Sequence, residues 1–298
     1  MKTISIVIVT YNSSRYIGYC LDSILTQDFE DYEIIIVDNA SIDKTCEIIK
    51  KGYPDIILME NKKNLGVCAA RNQAIDKATG MFILCLDPDV SLGTNFLQKI
   101  YEAVKDNTDI GASGSLILRE DKKTIYSAGI YPSFLWRFFD IGSGRIGEDR
   151  FKEKKYVFGV SAAAALYRRE ALESVKQGME YFDEDFFYFF EDVDISWRLR
   201  KKGWKILFDP EAVCFHAGGR SRKKDRISQY LCMRNRYFLI MKNASWFDLP
   251  RFIIVFFIYD LWRNLFMLIT NSDNFFKALT ETFESMPKML KKRRGTQE

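Results

Sequence analysis

Histidine is almost absent from this chain: one, His216, in 298 residues. No two of the six cysteines (Cys20, Cys46, Cys68, Cys85, Cys214, Cys232) form a Cys-x-x-Cys pair, so their spacing marks neither a redox pair nor a disulfide framework. Cysteines scattered through apolar segments behave as small hydrophobes and point to a reducing cytoplasm. Charge of one sign is also missing. The balance is only +4, from 44 basic and 40 acidic residues, too mild to argue for nucleic acid as a partner. No charged leader with a cleavage site precedes the first apolar run, so no signal peptide is expected. No internal repeat or low-complexity tract occurs, and the glycine spacing matches neither the dinucleotide nor the Walker fingerprint. No long apolar run is free of charge. Residues 249–270 are apolar and aromatic, but Arg251, Asp260 and Arg263 interrupt them. That argues for helices lying on a membrane surface or packing against the domain, not for a span.

What is present is a buried strand that ends in acids: Phe82-Ile83-Leu84-Cys85-Leu86-Asp87-Pro88-Asp89-Val90. Five apolar residues run into two carboxylates held one residue apart by proline. Two hard oxygen ligands there suit Mg²⁺ or Mn²⁺ carrying a phosphate-bearing ligand; strand-end aspartates also cap helices. Around this motif the chain alternates strands (4–9, 33–37, 56–59, 81–86) with helices (17–25, 41–51, 67–79, 97–105). Such alternation predicts an α/β fold with a mostly parallel central sheet, helices on both faces and ligands at the strands' carboxyl ends. Thr10-Tyr11-Asn12, Asp38-Asn39 and Asp87 with Asp89 all fall at those ends. Beyond them, 110–118 and 156–167 read as strands, 131–155 as a long loop, 191–202 as a helix and 204–208 as a short strand. From Gln229 onward the pattern is helical.

Four further groups carry chemistry. Asp38 can accept a pyrimidine ring N–H, or serve the start of helix 41–51, where capping by Ser41 would leave it free. In Asn64-Leu65-Gly66-Val67, Gly66 permits close backbone approach and the following helix N-terminus favours anions; Arg71 stands within reach of phosphate or ribose oxygens. Glu191, Asp192 and Asp194 open a helix after an aromatic run. They are dipole partners, with Asp194 paired to Arg198 at i,i+4, or they include a general base whose pKa is raised by apolar surroundings. His216 follows a strand and precedes glycines and a basic run, Arg220 to Arg226. In company with the Asp pair it suits a metal or diphosphate contact; alone it is an ordinary satisfied histidine. That basic run and the one at 288–294 fit an anionic membrane surface or ligand, or a solvated loop and tail.

Taken in order, Ile6-Val7-Ile8-Val9-Thr10-Tyr11-Asn12, Val37-Asp38-Asn39-Ala40-Ser41, Asn64-Leu65-Gly66 with Arg71-Asn72, Leu86-Asp87-Pro88-Asp89, Glu191-Asp192-Val193-Asp194 and His216 resemble glycosyltransferase family 2. These are inverting sugar-nucleotide enzymes of the GT-A fold, and the match spans roughly the first three quarters of the chain. The resemblance implies that Thr10, Tyr11, Asn12 and Asp38 hold the nucleotide base and ribose, assisted by Arg71 and Asn64, with Asp87 beside the ribose or sugar. It implies Asp89 and His216 at a Mg²⁺ or Mn²⁺ site, Asp192 as catalytic base and Glu191 orienting the acceptor. It also implies a GT-A catalytic domain over 1–226, divided into a nucleotide-binding part (about 1–106) and an acceptor-binding part (about 107–226). A helical region follows over 227–298. The Asp-Pro-Asp variant with Met233-Arg234-Asn235-Arg236 resembles the rhamnosyltransferase-like branch of surface polysaccharide assembly. The Gln-x-x-Arg-Trp motif of processive synthases is missing, Arg234-Asn235-Arg236-Tyr237 standing in that region. One sugar is therefore expected per encounter, from a UDP- or dTDP-linked donor to a lipid-linked or polysaccharide acceptor, in the cytoplasm or at the inner face of the cell membrane. Two other readings compete: a haloacid-dehalogenase-like phosphohydrolase, which also carries Asp-x-Asp after an apolar strand but on its first strand, and a non-catalytic sugar-nucleotide-binding protein.

Overall fold

The computed structural model describes residues 2–147, 151–218 and 226–294. The basic run at 220–226 lies outside the described residues except for Arg226. The first part of the chain runs β1 (Ile4–Thr10), α1 (Ile17–Leu25), β2 (Tyr32–Asp38), α2 (Thr45–Gly52), β3 (Ile57–Glu60), α3 (Val67–Lys77), β4 (Phe82–Leu86), β5 (Val90–Leu92) and α4 (Phe96–Glu102). Next come β6 (Ile110–Arg119), β7 (Ile125–Ser127), β8 (Ile130–Pro132), β9 (Phe138–Asp140), β10 (Lys155–Tyr156), β11 (Ala164–Arg168), α5 (Arg169–Ser174), α6 (Glu191–Lys201) and β12 (Lys205–His216). The chain closes with α7 (Arg226–Asn243), α8 (Leu249–Val255), a π-helical turn (Phe256–Asp260), α9 (Leu261–Thr270) and α10 (Ser272–Arg294).

Among the described residues ten strands form one sheet, in the order β10-β12-β6-β11-β4-β1-β2-β3, with β5 on β12 and β7 on β6. The half built from β3, β2, β1 and β4 is parallel, as the strand–helix alternation predicts. The other half is mixed, because β11 runs antiparallel to both β4 and β6. Continuous apolar strands follow from cover on both faces. Val7, Ile35, Val37, Ile83 and Cys85 face one core with α3 and α6. Ile4, Ile6, Ile8, Ile34, Ile36, Leu84 and Leu86 face the other, with α1, α2 and α4. Buried Cys20, Cys68, Cys85 and Cys214 are part of these cores, and none of the six cysteines is in a disulfide.

Several boundaries differ from those expected. Leu25 is 54% exposed and drops out of the buried face of α1. Helix α2 starts at Thr45 instead of residue 41, because the Ser41 and Thr45 hydroxyls are bound to Asp38 and Asp43. Residues 156–167 are not one strand but the ends of β10 and β11. The expected loop 131–155 contains part of a two-stranded hairpin, β8–β9. The short strand before His216 is longer, since β12 pairs with β6 through an irregularity at Asp209 and then with β5.

The C-terminal helices share the central core: Phe238 and Leu239 of α7 and Met289 of α10 pack with it. Among the described residues one helical run, Trp246–Thr270, is long and apolar enough to cross a membrane by length and composition. It leaves Ile253, Ile254, Phe257, Ile258, Trp262, Leu265, Phe266 and Ile269 exposed at helical spacing.

Candidate active site

Strand β4 delivers the acid pair into a tight turn. The Asp87 N–H donates to Ala163 O at 2.9 Å, and the Val90 N–H donates back to Asp87 O at 3.1 Å. Pro88 sits at the second position of this turn, where its fixed φ is suited. Pairing of β5 with β12 then sets Val90 opposite His216, and the Ala217 N–H donates to Asp89 O at 2.9 Å. One donor atom from each of Asp87, Asp89 and His216 falls within 4.8 Å of the others. His216 Nδ1 lies 3.7 Å from Asp89 Oδ2. It is buried and has no hydrogen-bond partner among the described residues, a state that costs about 1–3 kcal/mol for a polar group. The ring is stacked on Tyr126 at 4.3 Å and 12°. A Cβ on Gly218 would approach Asp89 Oδ2 to 1.9 Å, so only glycine leaves this space open. Two carboxylates and an orphaned imidazole nitrogen fit a divalent cation of the Mg²⁺ or Mn²⁺ kind.

A second acidic group meets the first through one arginine. Arg71 donates at 3.0 Å to Asp87 Oδ1 and at 3.0 Å to Glu191 Oε1, with a further bond to Ala162 O at 3.2 Å. It is only 4% exposed. Burial raises the Asp87 and Glu191 carboxyls, against the pull of Arg71. Next to them Asp192 opens α6, its carboxylate accepting from the Val193 N–H at 2.8 Å. Burial first, then the charges of Glu191 and Asp140, push the Asp192 carboxyl up to about 8. The ring stacked on His216 senses the same group: burial and then Asp140, Asp87, Tyr188 and Asp192 raise the Tyr126 phenol. Asp192 thus stands next to Glu191, which Arg71 ties to Asp87 of the metal-type cluster. Asp194 does not join them. It is fully buried, accepting from Arg198 at 2.9 Å (the expected i,i+4 pair), Lys242 at 2.8 Å and Asn243 at 2.8 Å. Burial opposes its charge, yet Lys242 and Arg198 hold its carboxyl below the usual range.

Three expectations change in detail. Asp38 is not left free by Ser41. Its carboxylate, 1% exposed, accepts from Thr10 Oγ1 at 2.7 Å, Ser41 N at 2.8 Å and Ser41 Oγ at 2.6 Å. The close approach at Gly66, with φ +85°, is to Phe187 and not to an open ligand space; a Cβ would meet Phe187 Cδ2 at 2.5 Å. Val67 N–H, the first helix donor, is already bound to Phe187 O at 2.8 Å. Arg71 is enclosed by carboxylates instead of lying open to phosphate. Asn64 is exposed, its Oδ1 accepting from Gly66 N at 2.9 Å. Tyr11 is 52% exposed, and Asn12 ties the first loop to Ser41 and Ile42 at 2.8 and 2.9 Å.

Sequence reasoning missed what holds the segment before Glu191. Phe187, Phe189 and Phe190 have φ of +63°, +70° and +69°, a region that bulky side chains rarely adopt, at about 1–3 kcal/mol each. The Asn235 amide donates to the carbonyls of Phe186, Tyr188 and Phe189 at 2.8, 2.8 and 2.9 Å. Arg234 adds bonds to Asp185 O and Phe186 O. The available signal was the polar Arg234-Asn235-Arg236 run inside an otherwise apolar helix.

A family model, "Glycosyl transferase family 2", matches residues 5–176, more than half of the chain. The chain belongs to glycosyl transferase family 2. Among curated relatives, a poly-β-1,6-N-acetyl-D-glucosamine synthase of Staphylococcus aureus (strain COL) is 26% identical over 285 residues, covering 90% of this chain and 64% of that protein. This chain thus spans slightly less than two thirds of the length of such synthases. An N-acetylglucosaminyl-diphospho-decaprenol L-rhamnosyltransferase of Mycobacterium tuberculosis (strain CDC 1551 / Oshkosh) is 24% identical over 269 residues, covering 82% of this chain and 86% of that protein. A mannosyltransferase from Pyrobaculum calidifontis, solved in complex with GDP-Man and Mn²⁺, superposes with a TM-score of 0.57 at 17% identity, covering 99% of this chain and 87% of that one. The last likeness carries the fold, of GT-A type. Membership sets aside the phosphohydrolase reading.

Proposed function

We propose that the chain is an inverting, metal-dependent glycosyltransferase that moves one sugar from a nucleoside-diphosphate sugar to a hydroxyl of a lipid-linked or polysaccharide acceptor. The observation that carries this reading is the cluster of Asp87, Asp89 and the unpartnered His216 nitrogen, joined through Arg71 to Glu191 next to Asp192, whose carboxyl burial pushes up to about 8. Residues 1–226 would form the catalytic part and 227–298 the helical part. Thr10, Tyr11, Asn12 and Asp38 would line the base and ribose region of a UDP- or dTDP-linked donor, with Asn64 at its rim. Arg71 would act mainly by fixing Asp87 and Glu191. Asp89 and His216, with Asp87, would hold Mg²⁺ or Mn²⁺, whose charge supports the departing diphosphate.

In the transfer itself the acceptor O–H proton goes to the Asp192 carboxylate. The oxygen forms its bond to the anomeric carbon from the face opposite the diphosphate, and the carbon–oxygen bond to phosphate breaks with its electron pair leaving on the nucleoside diphosphate. Glu191, anchored by Arg71, orients the acceptor. A rhamnosyltransferase-like donor preference is favoured by the Mycobacterium relative, of which this chain covers 86%. Placement against a membrane surface is favoured by the exposed apolar stripe on 253–269. A donor screen that follows nucleoside diphosphate release with Mg²⁺ or Mn²⁺ and a glycan acceptor tests the reading. Tight donor binding without turnover on any acceptor would favour a non-catalytic binding protein instead.

A further inference from the structure

A groove of about 430 Å³ lies between the β8–β9 hairpin and helices α7 and α9, outside the metal-type cluster. Its walls include Trp136, Phe190 and Phe266 together with Arg137, Arg236 and Arg263. The three guanidinium carbons surround the Tyr259 ring at 5.1, 5.2 and 5.8 Å. One carboxylate, the fully buried Asp260, stands against them, and it is bound at 2.7 and 3.1 Å by Arg236. Arg263 comes no nearer to it than 3.7 Å, and its Nη2 is buried without a hydrogen-bond partner among the described residues. Arg137 is exposed and forms no ion pair among the described residues. Like charges gathered in a half-closed aromatic groove repel one another and are stabilised by an anion. Two features say which anion. One wall is Phe190, the residue directly before Glu191 and Asp192. Another lining residue, Phe266, is 66% exposed and belongs to the apolar stripe that continues through Trp262 and Ile269.

We propose that this groove binds the phosphate or diphosphate head of a lipid-linked acceptor, its apolar tail lying along the 253–269 stripe and its sugar directed past Phe190 toward Asp192. This rests on the proposed transfer to a lipid-linked acceptor. The test is direct binding to the full chain of farnesyl diphosphate, inorganic diphosphate and farnesol, with no donor present. Farnesyl diphosphate is expected to bind at least about tenfold more tightly than either fragment. R137Q and R137Q/R263Q should weaken farnesyl diphosphate by about tenfold or more while leaving farnesol within about twofold. R137Q changes an exposed side chain, so an unaltered melting transition keeps that arm interpretable. Undiminished affinity in both variants would overturn the proposal. So would displacement of the probe by UDP with Mn²⁺, which places it in the donor cleft, or equal displacement by phosphatidylglycerol vesicles, which makes the groove a general membrane contact. Because no transfer is measured here, failure of the donor screen would sink the transferase reading and leave this anion site standing, whereas failure of probe binding would overturn the anion site alone.

Discussion

Replacing Asp192 by Asn should do two opposite things, and both follow from the same burial. The carboxyl rises from 3.8 to about 8 in the fold. At 1.36 kcal/mol per unit this corresponds to a ceiling of about 6 kcal/mol. The side chain is partly exposed, and water in the cleft screens it, so about half of that, ~3 kcal/mol, is the working expectation. In the unfolded chain Asp192 ionises near pH 4, whereas in the native state it keeps its proton until about pH 8. Between those values the native state binds more protons, so this group's contribution is fully present below pH 4 and is lost as pH rises through 8. The amide introduced by D192N does not titrate and suffers no such loss. Denaturation of the two proteins in urea at pH 5, 7 and 9 should therefore show a gap that widens with pH in favour of D192N. Transfer should fall by about 10²–10⁴-fold, with donor binding retained. In the parent, kcat/KM for the acceptor should climb with pH up to about 8, and Asp140→Asn should shift that limb to lower pH by removing a neighbouring charge. Parallel stability curves would refute the account of the raised carboxyl. Near-normal transfer by D192N would refute its role as base.

Asp89→Asn and His216→Ala should each weaken Mn²⁺ binding by about tenfold or more, read from the free-ion signal in an EPR titration. Gly218→Ala should do the same although it removes no ligand, since its Cβ would occupy space 1.9 Å from Asp89 Oδ2; parent-like Mn²⁺ affinity in that variant would remove the cation reading of the cradle. Asn235→Ala abandons three loop carbonyls and should cost about 3 kcal/mol. It should also lower kcat more than donor affinity, and parent-like stability and kcat together would show that the loop holds its own shape. Vesicles containing anionic lipid should float the parent chain, and the triple change Ile258→Ser, Trp262→Ser, Ile269→Ser should abolish this; undiminished flotation would exclude the stripe as the contact.

The nucleotide half of the fold was legible because its signals are local. Apolar runs such as Ile34-Ile35-Ile36-Val37 and helix faces such as Ile17, Cys20, Leu21 and Ile24 report burial at a fixed period, and the sheet places their ends side by side. The acid turn was legible for the same reason, since Pro88 and the strand before it fix where Asp87 and Asp89 emerge. The partners of these residues were not legible. Arg71 and Glu191 are 120 residues apart, and nothing in either local pattern says that they meet. Asp38 accepts from Thr10 because the β1–β2 register sets these residues side by side, a fact of pairing and not of composition. The mixed half of the sheet was obscured by the insertion of β11, whose alanines look the same in a parallel or an antiparallel strand.

The position of the base follows from a conflict between local and tertiary preference. Three phenylalanines in the left-handed region would not stay there in isolation, yet this bend carries Phe190 into the start of α6 and sets Glu191 against Arg71. What holds it is distant in sequence: Asn235 and Arg234 take up the carbonyls of the bend, while Lys242 and Asn243, two turns further along α7, hold Asp194 on the next turn of α6. Arg236 on the same helix bonds Leu135 O at 2.8 Å and also Trp136 O, in the turn of the β8–β9 hairpin that carries Asp140. One helix thus fixes both the acidic start of α6 and the carboxylate that helps raise its pKa. A region that reads in sequence as an appendage is, in the folded chain, the support on which the proton-accepting group rests.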